Sequence, residues 1–270
     1  MSAKKILRSF LFNIWRTIKP SVLLTKPSFI IVGAQKAGTT GLFAILKRHS
    51  HLVGSLKKEV HYFDNDNWYH QNDLRDYHAC FPPSFMVPKD GLAFEASPLY
   101  LFHENVAERL KKYNPELKII VVLREPASRA LSAWKMYHHK FKGRKNSALF
   151  DHRSFRQAIA DEITHKNSEH RFDYIKRGQY AEQIERYLKH FGRDQILFLE
   201  NNMIKNHLDE TVRKICTFLN IPYMELQFKA SNVSAHSTNE IFDVELQKLR
   251  EHYQPYNEEL WRVIGENYRW

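Results

Sequence analysis

The sequence contains little cysteine, glycine or proline, with 2, 9 and 10 of these among its 270 residues. Cys80 and Cys216 cannot form a disulfide framework, and they lack the spacing of a metal site. We therefore expect a reducing compartment, with a single bridge between the two thiols as the open alternative. No stretch rich in Pro, Gly or Ser divides the chain, which favours one large α/β domain over two.

The first 26 residues lack an uncharged apolar run that is long enough to cross a membrane. The longest, Ser9–Trp15, is far shorter than the roughly 20 residues of a spanning helix. No small-residue cleavage site follows, so we predict no signal peptide and a cytoplasmic protein. Basic residues interrupt the apolar ones, which predicts a basic amphipathic segment over residues 1–26. This segment would either make a peripheral contact with a membrane or partner, or pack on the domain.

Acidic residues are too few to balance the basic ones. The chain has 30 Asp and Glu against 41 Lys and Arg, and its net charge is +11. Such a charge favours anionic partners: nucleotides, nucleic acid, acidic glycans or an anionic membrane surface. Charge alone does not choose among them.

Apolar runs alternate with helical patterns from residue 28 onward. Strands are predicted at Ser28–Val32, Gly91–Glu95, Lys118–Leu123 and Gln195–Glu200. Helices are predicted at Thr39–His49, His103–Tyr113, Ala127–His139, Tyr180–Phe191 and Asn206–Leu219. This order predicts a parallel central sheet with helices on both faces, an α/β three-layer fold like that of P-loop NTPases. Ligands of such sheets bind where the strands end.

A glycine-containing loop, Gly33–Thr40, follows the first predicted strand and opens the first helix. Gly33 and Gly38 have the spacing of a nucleotide-binding P-loop, whose backbone N–H groups and helix end attract phosphate. An ATPase or GTPase has lysine directly after the second glycine, where this chain has Thr39. Its lysine lies three positions earlier, at Lys36. From there the ammonium would sit beside the leaving group of a transferred moiety.

A second anion site is predicted after the strongest strand signal. One apolar strand of an ATPase ends in an aspartate that holds Mg²⁺ through water. Here the strand Lys118–Leu123 ends in Arg124, which suits an anion. Pro126 is well placed at the start of the next helix. Ser132, a couple of helical turns after Arg124, would face the same anion.

The segment Lys57–Asp64 (KKEVHYFD) carries a candidate base. Alternation along an extended segment would put Glu59, His61 and Phe63 on one face. A carboxylate near Lys36 and a bound anion can remove a proton from an acceptor hydroxyl or amine. His61 would orient that carboxylate, touch the acceptor, or serve as the base itself.

These segments resemble the motifs of sulfotransferases that use 3′-phosphoadenosine 5′-phosphosulfate (PAPS). Gly33–Thr40 is similar to their 5′-phosphosulfate loop, and Arg124–Ser132 to their 3′-phosphate motif. Lys57–Asp64 is similar to the catalytic-glutamate segment of the heparan sulfate and carbohydrate branch. The resemblance implies a sulfotransferase domain over residues 27–270. It also implies metal-independent transfer from PAPS to a hydroxyl, less readily an amine, of a carbohydrate or glycoconjugate. The nucleotide product would be PAP.

The resemblance also implies roles for individual residues. It makes Glu59 the base, with His61 as the alternative, and places Lys36 at the oxygen that bridges sulfate and phosphate. Residues that would hold the nucleotide are Lys36, Ala37, Gly38, Thr39, Thr40, Arg124 and Ser132. The family also closes a loop over the 3′-phosphate, often with Gly and Arg. This chain has neither between Phe228 and Thr238, so Ser234 and His236 are assigned there by position.

One further departure and two rival functions stay open. Glycosaminoglycan sulfotransferases have lysine where this chain has Ala96, which argues against a highly sulfated acceptor unless Lys57 and Lys58 supply the missing charge. Glu95 either caps the end of its strand or takes part in catalysis. Arg177 is expected at the surface. One rival is a P-loop kinase or NTPase with Glu200 as its metal ligand. The other is a non-catalytic basic protein that binds polyanions. Nucleic acid is not an expected partner.

Overall fold

Five parallel strands form the sheet at the centre of the chain, in the order β2-β3-β1-β4-β5. The computed structural model describes residues 23–71, 73–143, 147–164, 166, 170–227, 242–268 and 270. The strands are β1 (Phe29–Gly33), β2 (Leu52–Gly54), β3 (Leu92–Ala96), β4 (Lys118–Leu123) and β5 (Ile196–Glu200). Every neighbouring pair runs parallel, and Phe29 of β1 aligns with Phe94 of β3 and Lys118 of β4.

Helices connect the strands and cover both faces of the sheet. They are α1 (Thr39–Leu46), α2 (Asp66–His70), α3 (Leu74–His78), α4 (Val106–Tyr113), α5 (Pro126–Lys135), α6 (Phe155–Ile163), α7 (Tyr180–Leu188), α8 (Asn201–Asn206), α9 (Leu208–Leu219) and α10 (Asp243–Ile264). Among the described residues, no helix has both the length and the apolar character that a bilayer span requires.

Two apolar clusters hold these layers together. The larger one contains the sheet, whose β1 and β4 are almost completely buried, as expected for strands with helices on both faces. The smaller one lies where α10 packs against α5, and it includes Trp134, Phe155 and Tyr253. Cys80 and Cys216 are both free thiols, so the alternative of a bridge between them is wrong.

The predicted α/β fold with a parallel sheet is confirmed, and the four predicted strands are present within one residue of their expected ends. The three-residue strand β2 was not predicted, because it is too short to show a pattern. The helix expected at Asn206–Leu219 is α9, which begins two residues later, and the short helix α8 before it was not predicted. The helix expected to reach His139 is α-helical only to Lys135, and a π-helical turn follows it.

Candidate active site

The strand order brings four loops to one edge of the sheet. Strands β3, β1, β4 and β5 are neighbours and all run the same way, so the segments that follow them start side by side. These segments begin at Ser97, Ala34, Arg124 and Asn201. The predicted phosphate loop, second anion site and Glu95 segment therefore meet at this edge, as expected for a doubly covered parallel sheet.

The phosphate loop, residues 33–40, curls through left-handed backbone at two positions. Lys36 has φ of 70° and Gly38 has φ of 98°. A Cβ atom at position 38 would lie 2.3 Å from the side-chain nitrogen of Asn201, so both the conformation and the space require glycine. Asn201, the first residue of α8, donates from Nδ2 to the carbonyl of Ala37 over 2.7 Å. This residue supports the loop from a distance of 164 positions, and sequence reasoning missed it.

The amino end of α1 is open to an anion. Its first amides have no partner within the helix, and within the described residues no side chain caps Gly38. The first turn also contains no acidic residue, so the positive helix end is not neutralised there. Ala37 and Thr39 are buried, whereas Thr40 is exposed.

Arg124 joins the second anion site to the phosphate loop. It follows β4, and its Nη1 donates to the carbonyl of Lys36 over 3.1 Å. Glu125 fixes this geometry by capping α5, since its carboxylate accepts from the amides of Ala127 and Ser128 over 2.9 and 2.8 Å. Burial lowers the pKa of Arg124. No described carboxylate forms an ion pair with it, so its charge suits an anionic ligand.

Two further nucleotide-binding assignments are not tested by these contacts. Ser132 is half-buried in the second turn of α5, and its contact with a 3′-phosphate stays a prediction. Ser234 and His236 lie outside the described residues, as does most of the predicted amphipathic segment 1–26.

The base segment, Lys57–Asp64, bends repeatedly and is not a strand. Both Glu59 and His61 have positive φ, at 62° and 59°. The predicted alternation is wrong for Phe63, which is completely buried beside Tyr62, because left-handed turns break the two-residue period of a strand. Glu59 and His61 do share the accessible side, with 44% and 33% of their side chains exposed.

Charged groups surround Glu59 on two sides. Lys58 Nζ lies 2.5 Å from its Oε1, and His61 Nε2 lies 3.6 Å from its Oε2. The other ring nitrogen of His61 is 2.8 Å from Oδ2 of Asp64, whose side chain is almost buried. His61 therefore bridges two carboxylates and is held in one orientation.

These contacts separate the protonation states of the two candidate bases. Hydrogen bonding to His61, followed by Lys58, lowers the pKa of Glu59 to about 2 despite burial. Hydrogen bonding to Asp64 and then Glu59 raises the pKa of His61 to about 9. At neutral pH the carboxylate is ionised and the imidazole carries its proton. Glu59 can accept a proton in this state, and His61 cannot.

Arg177 differs from its expected place, and Glu200 ends β5 as expected but is hydrogen-bonded there. Arg177 is not a surface arginine: it stacks on Phe102 at 4.9 Å and donates to Oε1 of Gln35, in the phosphate loop, over 3.2 Å. Glu200, the metal ligand of the kinase alternative, accepts a hydrogen bond from the indole of Trp270 over 3.2 Å. In the described part of the chain, no group of three or more His, Cys, Asp or Glu residues could hold a metal ion.

Comparisons with known proteins identify one family. The family described as "Sulfotransferase domain" matches residues 26–259. Heparan sulfate glucosamine 3-O-sulfotransferase 5 of Mus musculus is 26% identical over 265 residues, covering 90% of this chain and 74% of that protein. The membrane-associated sulfotransferase kil1 of Dictyostelium discoideum is 23% identical, covering 92% and 67%. The crystal structure of a sulfotransferase from Alicyclobacillus acidocaldarius superposes with a TM-score of 0.73 at 27% identity, covering 91% and 98%.

Proposed function

Since the chain belongs to the sulfotransferase family, we propose that it sulfates a hydroxyl group of a carbohydrate or glycoconjugate, with Glu59 as the general base. As a member of this family it is a PAPS-dependent sulfotransferase, with PAP as the nucleotide product. The acceptor class, the base and the residues that hold the nucleotide are the proposal.

The residues at the sheet edge fit PAPS. The uncapped amino end of α1 offers backbone donors to the 5′-phosphate. Arg124 has a half-buried guanidinium whose described hydrogen bond goes to a neutral carbonyl, so its charge is available to the 3′-phosphate. We assign Lys36, Ala37, Gly38, Thr39 and Thr40 to the 5′ side. Arg124 and Ser132, together with Ser234 and His236, are assigned to the 3′ side.

The chain's residues divide the reaction between them. PAPS supplies the sulfuryl group, whose sulfur forms a bond to the acceptor oxygen as its bond to the 5′-phosphate oxygen breaks. Lys36 stabilises the negative charge that develops on this phosphate oxygen. Glu59 takes the acceptor's proton, and His61 and Asp64 hold the carboxylate in place. We predict that the transfer needs no metal ion, because lysine and backbone donors supply positive charge at the phosphate.

One observation carries the assignment of the base: His61 lies between Glu59 and Asp64 and keeps its proton at neutral pH. A low pKa makes Glu59 a weak base in the absence of acceptor. An acceptor hydroxyl that displaces Lys58 from its oxygen would remove one cause of this low pKa. The basicity of Glu59 would then rise when the acceptor hydroxyl releases its proton.

A carbohydrate acceptor is supported by the relatives and by charge. Mouse 3-O-sulfotransferase 5 is named for its action on heparan sulfate glucosamine, and the net charge of +11 favours anionic partners, of which an acidic glycan is one. Ala96 stands where glycosaminoglycan sulfotransferases have lysine, so we expect a weakly sulfated acceptor. Lys57, two residues before Glu59, is exposed and can contact this acceptor.

An acceptor screen with radiolabelled PAPS tests this function. We expect label on a weakly sulfated heparan-type glycan, and much less on highly sulfated heparin, lipids or phenols. The Glu59→Gln variant is the control and should transfer little label. Label on phenols or lipids alone would contradict a carbohydrate acceptor.

PAP binding is a separate test that needs no acceptor. In EDTA, PAP at 100 times its Kd should stabilise the protein by about 2.7 kcal/mol by mass action. Stabilisation by ATP with Mg²⁺ alone would favour the kinase alternative.

We also propose that residues 1–26 bring the protein to an anionic membrane surface from the cytoplasmic side. The support is their basic and apolar composition, together with the membrane association in the name of the relative kil1. Deletion of residues 1–22 should abolish co-sedimentation with phosphatidylserine vesicles without changing PAP affinity. Binding of the truncated protein to vesicles would contradict this role. Separately, we expect that the protein does not bind nucleic acid.

A further inference from the structure

The base segment holds its two key residues in a costly backbone conformation. Left-handed backbone is unfavourable for residues other than glycine, and both Glu59 and His61 adopt it. Such conformations persist only where the surrounding structure enforces them. The contacts that enforce them therefore decide where the two side chains point.

Most of these contacts come from one neighbouring segment, the end of β3 and the residues after it. The amide of Glu59 donates to the carbonyl of Ala96 over 3.0 Å. The amide of His61 donates to Oγ of Ser97 over 3.4 Å. The next two amides, of residues 62 and 63, both donate to the hydroxyl of Tyr100, over 3.0 and 3.3 Å. Two side-chain hydroxyls thus hold three consecutive amides.

Glu95 lies behind both hydroxyls and is completely buried. Ser97 donates to its Oε2 over 2.7 Å, and Tyr100 donates to its Oε1 over 3.3 Å. A hydroxyl has one hydrogen to donate and two lone pairs that accept. Because both hydroxyls give their hydrogen to Glu95, their lone pairs are free to face the amides of the base segment.

We propose that Glu95 is a positioning residue, which acts through Ser97 and Tyr100 to fix the backbone of the base segment and the direction of Glu59 and His61. Glu95 does not contact the acceptor, since its side chain has no exposed surface. The inference rests on the proposed role of Glu59 as the base. The sequence left two roles open for Glu95, one at the end of its strand and one in catalysis. The proposal gives Glu95 an indirect role in catalysis.

Tyr77 provides a matched control for Tyr100. Its hydroxyl also donates to Oε1 of Glu95, over 2.8 Å, and it too is completely buried. The amides of residues 61–63 donate to Ser97 and Tyr100, and not to Tyr77. Replacement by phenylalanine keeps either ring and removes one buried hydrogen bond to Glu95. Only Tyr100→Phe also removes an acceptor from the base segment.

Hydrogen exchange and kinetics on the full chain test the proposal. We expect the amides of residues 61–63 to exchange at least tenfold faster in Tyr100→Phe than in Tyr77→Phe. With the heparan-type glycan as acceptor, kcat should fall roughly tenfold or more in Tyr100→Phe, because small displacements of a reacting group are costly. In Tyr77→Phe it should stay within about twofold. PAP affinity should be unchanged in both.

Ser97→Ala is a smaller change that removes a different contact of the same network, the one with the amide of His61, and it serves if Tyr100→Phe does not fold. It should lower kcat and leave PAP affinity unchanged. Equal exchange and equal kcat in the two tyrosine variants would overturn the positioning role of Glu95. Normal kcat in Glu59→Gln together with low kcat in Tyr100→Phe would overturn the role of Glu59 as the base. The positioning role of Glu95 would then stand, with His61 as the residue that the network positions.

Discussion

The phosphate loop and the base segment lie at the same edge of the sheet and are held in different ways. The phosphate loop has left-handed backbone at Lys36 and Gly38 and presents backbone amides, with the side chains of Asn201 and Arg124 as supports. The base segment places non-glycine residues in left-handed backbone and relies on hydroxyls that are anchored on a buried carboxylate. Both supports are remote in sequence: Asn201 lies 164 positions from Ala37, and Tyr100 lies 38 positions from Tyr62. The difference lies in the chemistry of the supports, since an amide and a guanidinium bind carbonyls of the phosphate loop, whereas hydroxyls accept from amides of the base segment.

A substitution of Lys36 should give the largest effect on the phosphate-loop side of this comparison. Lys36→Ala removes the positive charge that faces the departing phosphate oxygen. The loss of one preorganised donor of this kind costs about 10²–10³-fold in kcat. Single-turnover transfer from radiolabelled PAPS measures it. Lys47→Ala, an exposed lysine just after α1, is the control and should transfer normally. Near-normal turnover in Lys36→Ala would remove Lys36 from the mechanism.

A substitution of Arg124 sharpens the distinction between binding and chemistry. Arg124→Ala removes a charge-assisted contact worth on the order of 1.5–3 kcal/mol. The Kd for PAP should therefore rise by roughly 10–150-fold, as measured by calorimetry. At saturating PAPS, kcat should change much less. Arg156→Ala, at an exposed arginine, should leave the Kd unchanged. An unchanged Kd in Arg124→Ala would make Arg124 purely structural.

The smallest expected effect is the pH dependence of stability at the base segment. The pKa of His61 is raised from 6.5 to about 9 in the folded chain, so the folded state binds its proton more tightly than the unfolded state does. The resulting stability is fully present below pH 6.5 and is lost as the pH rises through about 9.

We therefore expect His61→Asn to melt at a lower temperature than the wild type below pH 6.5, with a difference that shrinks above pH 9. Thermal unfolding across this range measures the difference. His70→Asn, at an exposed histidine, serves as the reference. A gap that widens with rising pH would show that the charged His61 is not the stabilising form.

The same comparison explains how far the sequence predicted the site. Gly33–Thr40 and the strand before Arg124 carry local patterns, and both were found where expected. Glu59 and His61 were identified, but not the left-handed turns that expose them, because no local pattern predicts positive φ at non-glycine residues. The contact of Arg177 with Gln35 joins positions 142 apart, and nothing local marks it. Such supports follow only from the packing of the whole chain.

The most direct test of the account is kcat in Glu59→Gln beside His61→Asn, with PAP affinity measured in both. Glutamine keeps the size of the side chain and cannot accept the acceptor's proton. General-base catalysis contributes about 10²–10⁴-fold, so kcat in Glu59→Gln should fall by that factor while the Kd for PAP stays within a few-fold. His61→Asn should lose less, because His61 orients the carboxylate. A severe loss in His61→Asn with near-normal turnover in Glu59→Gln would assign the base to histidine and contradict the account.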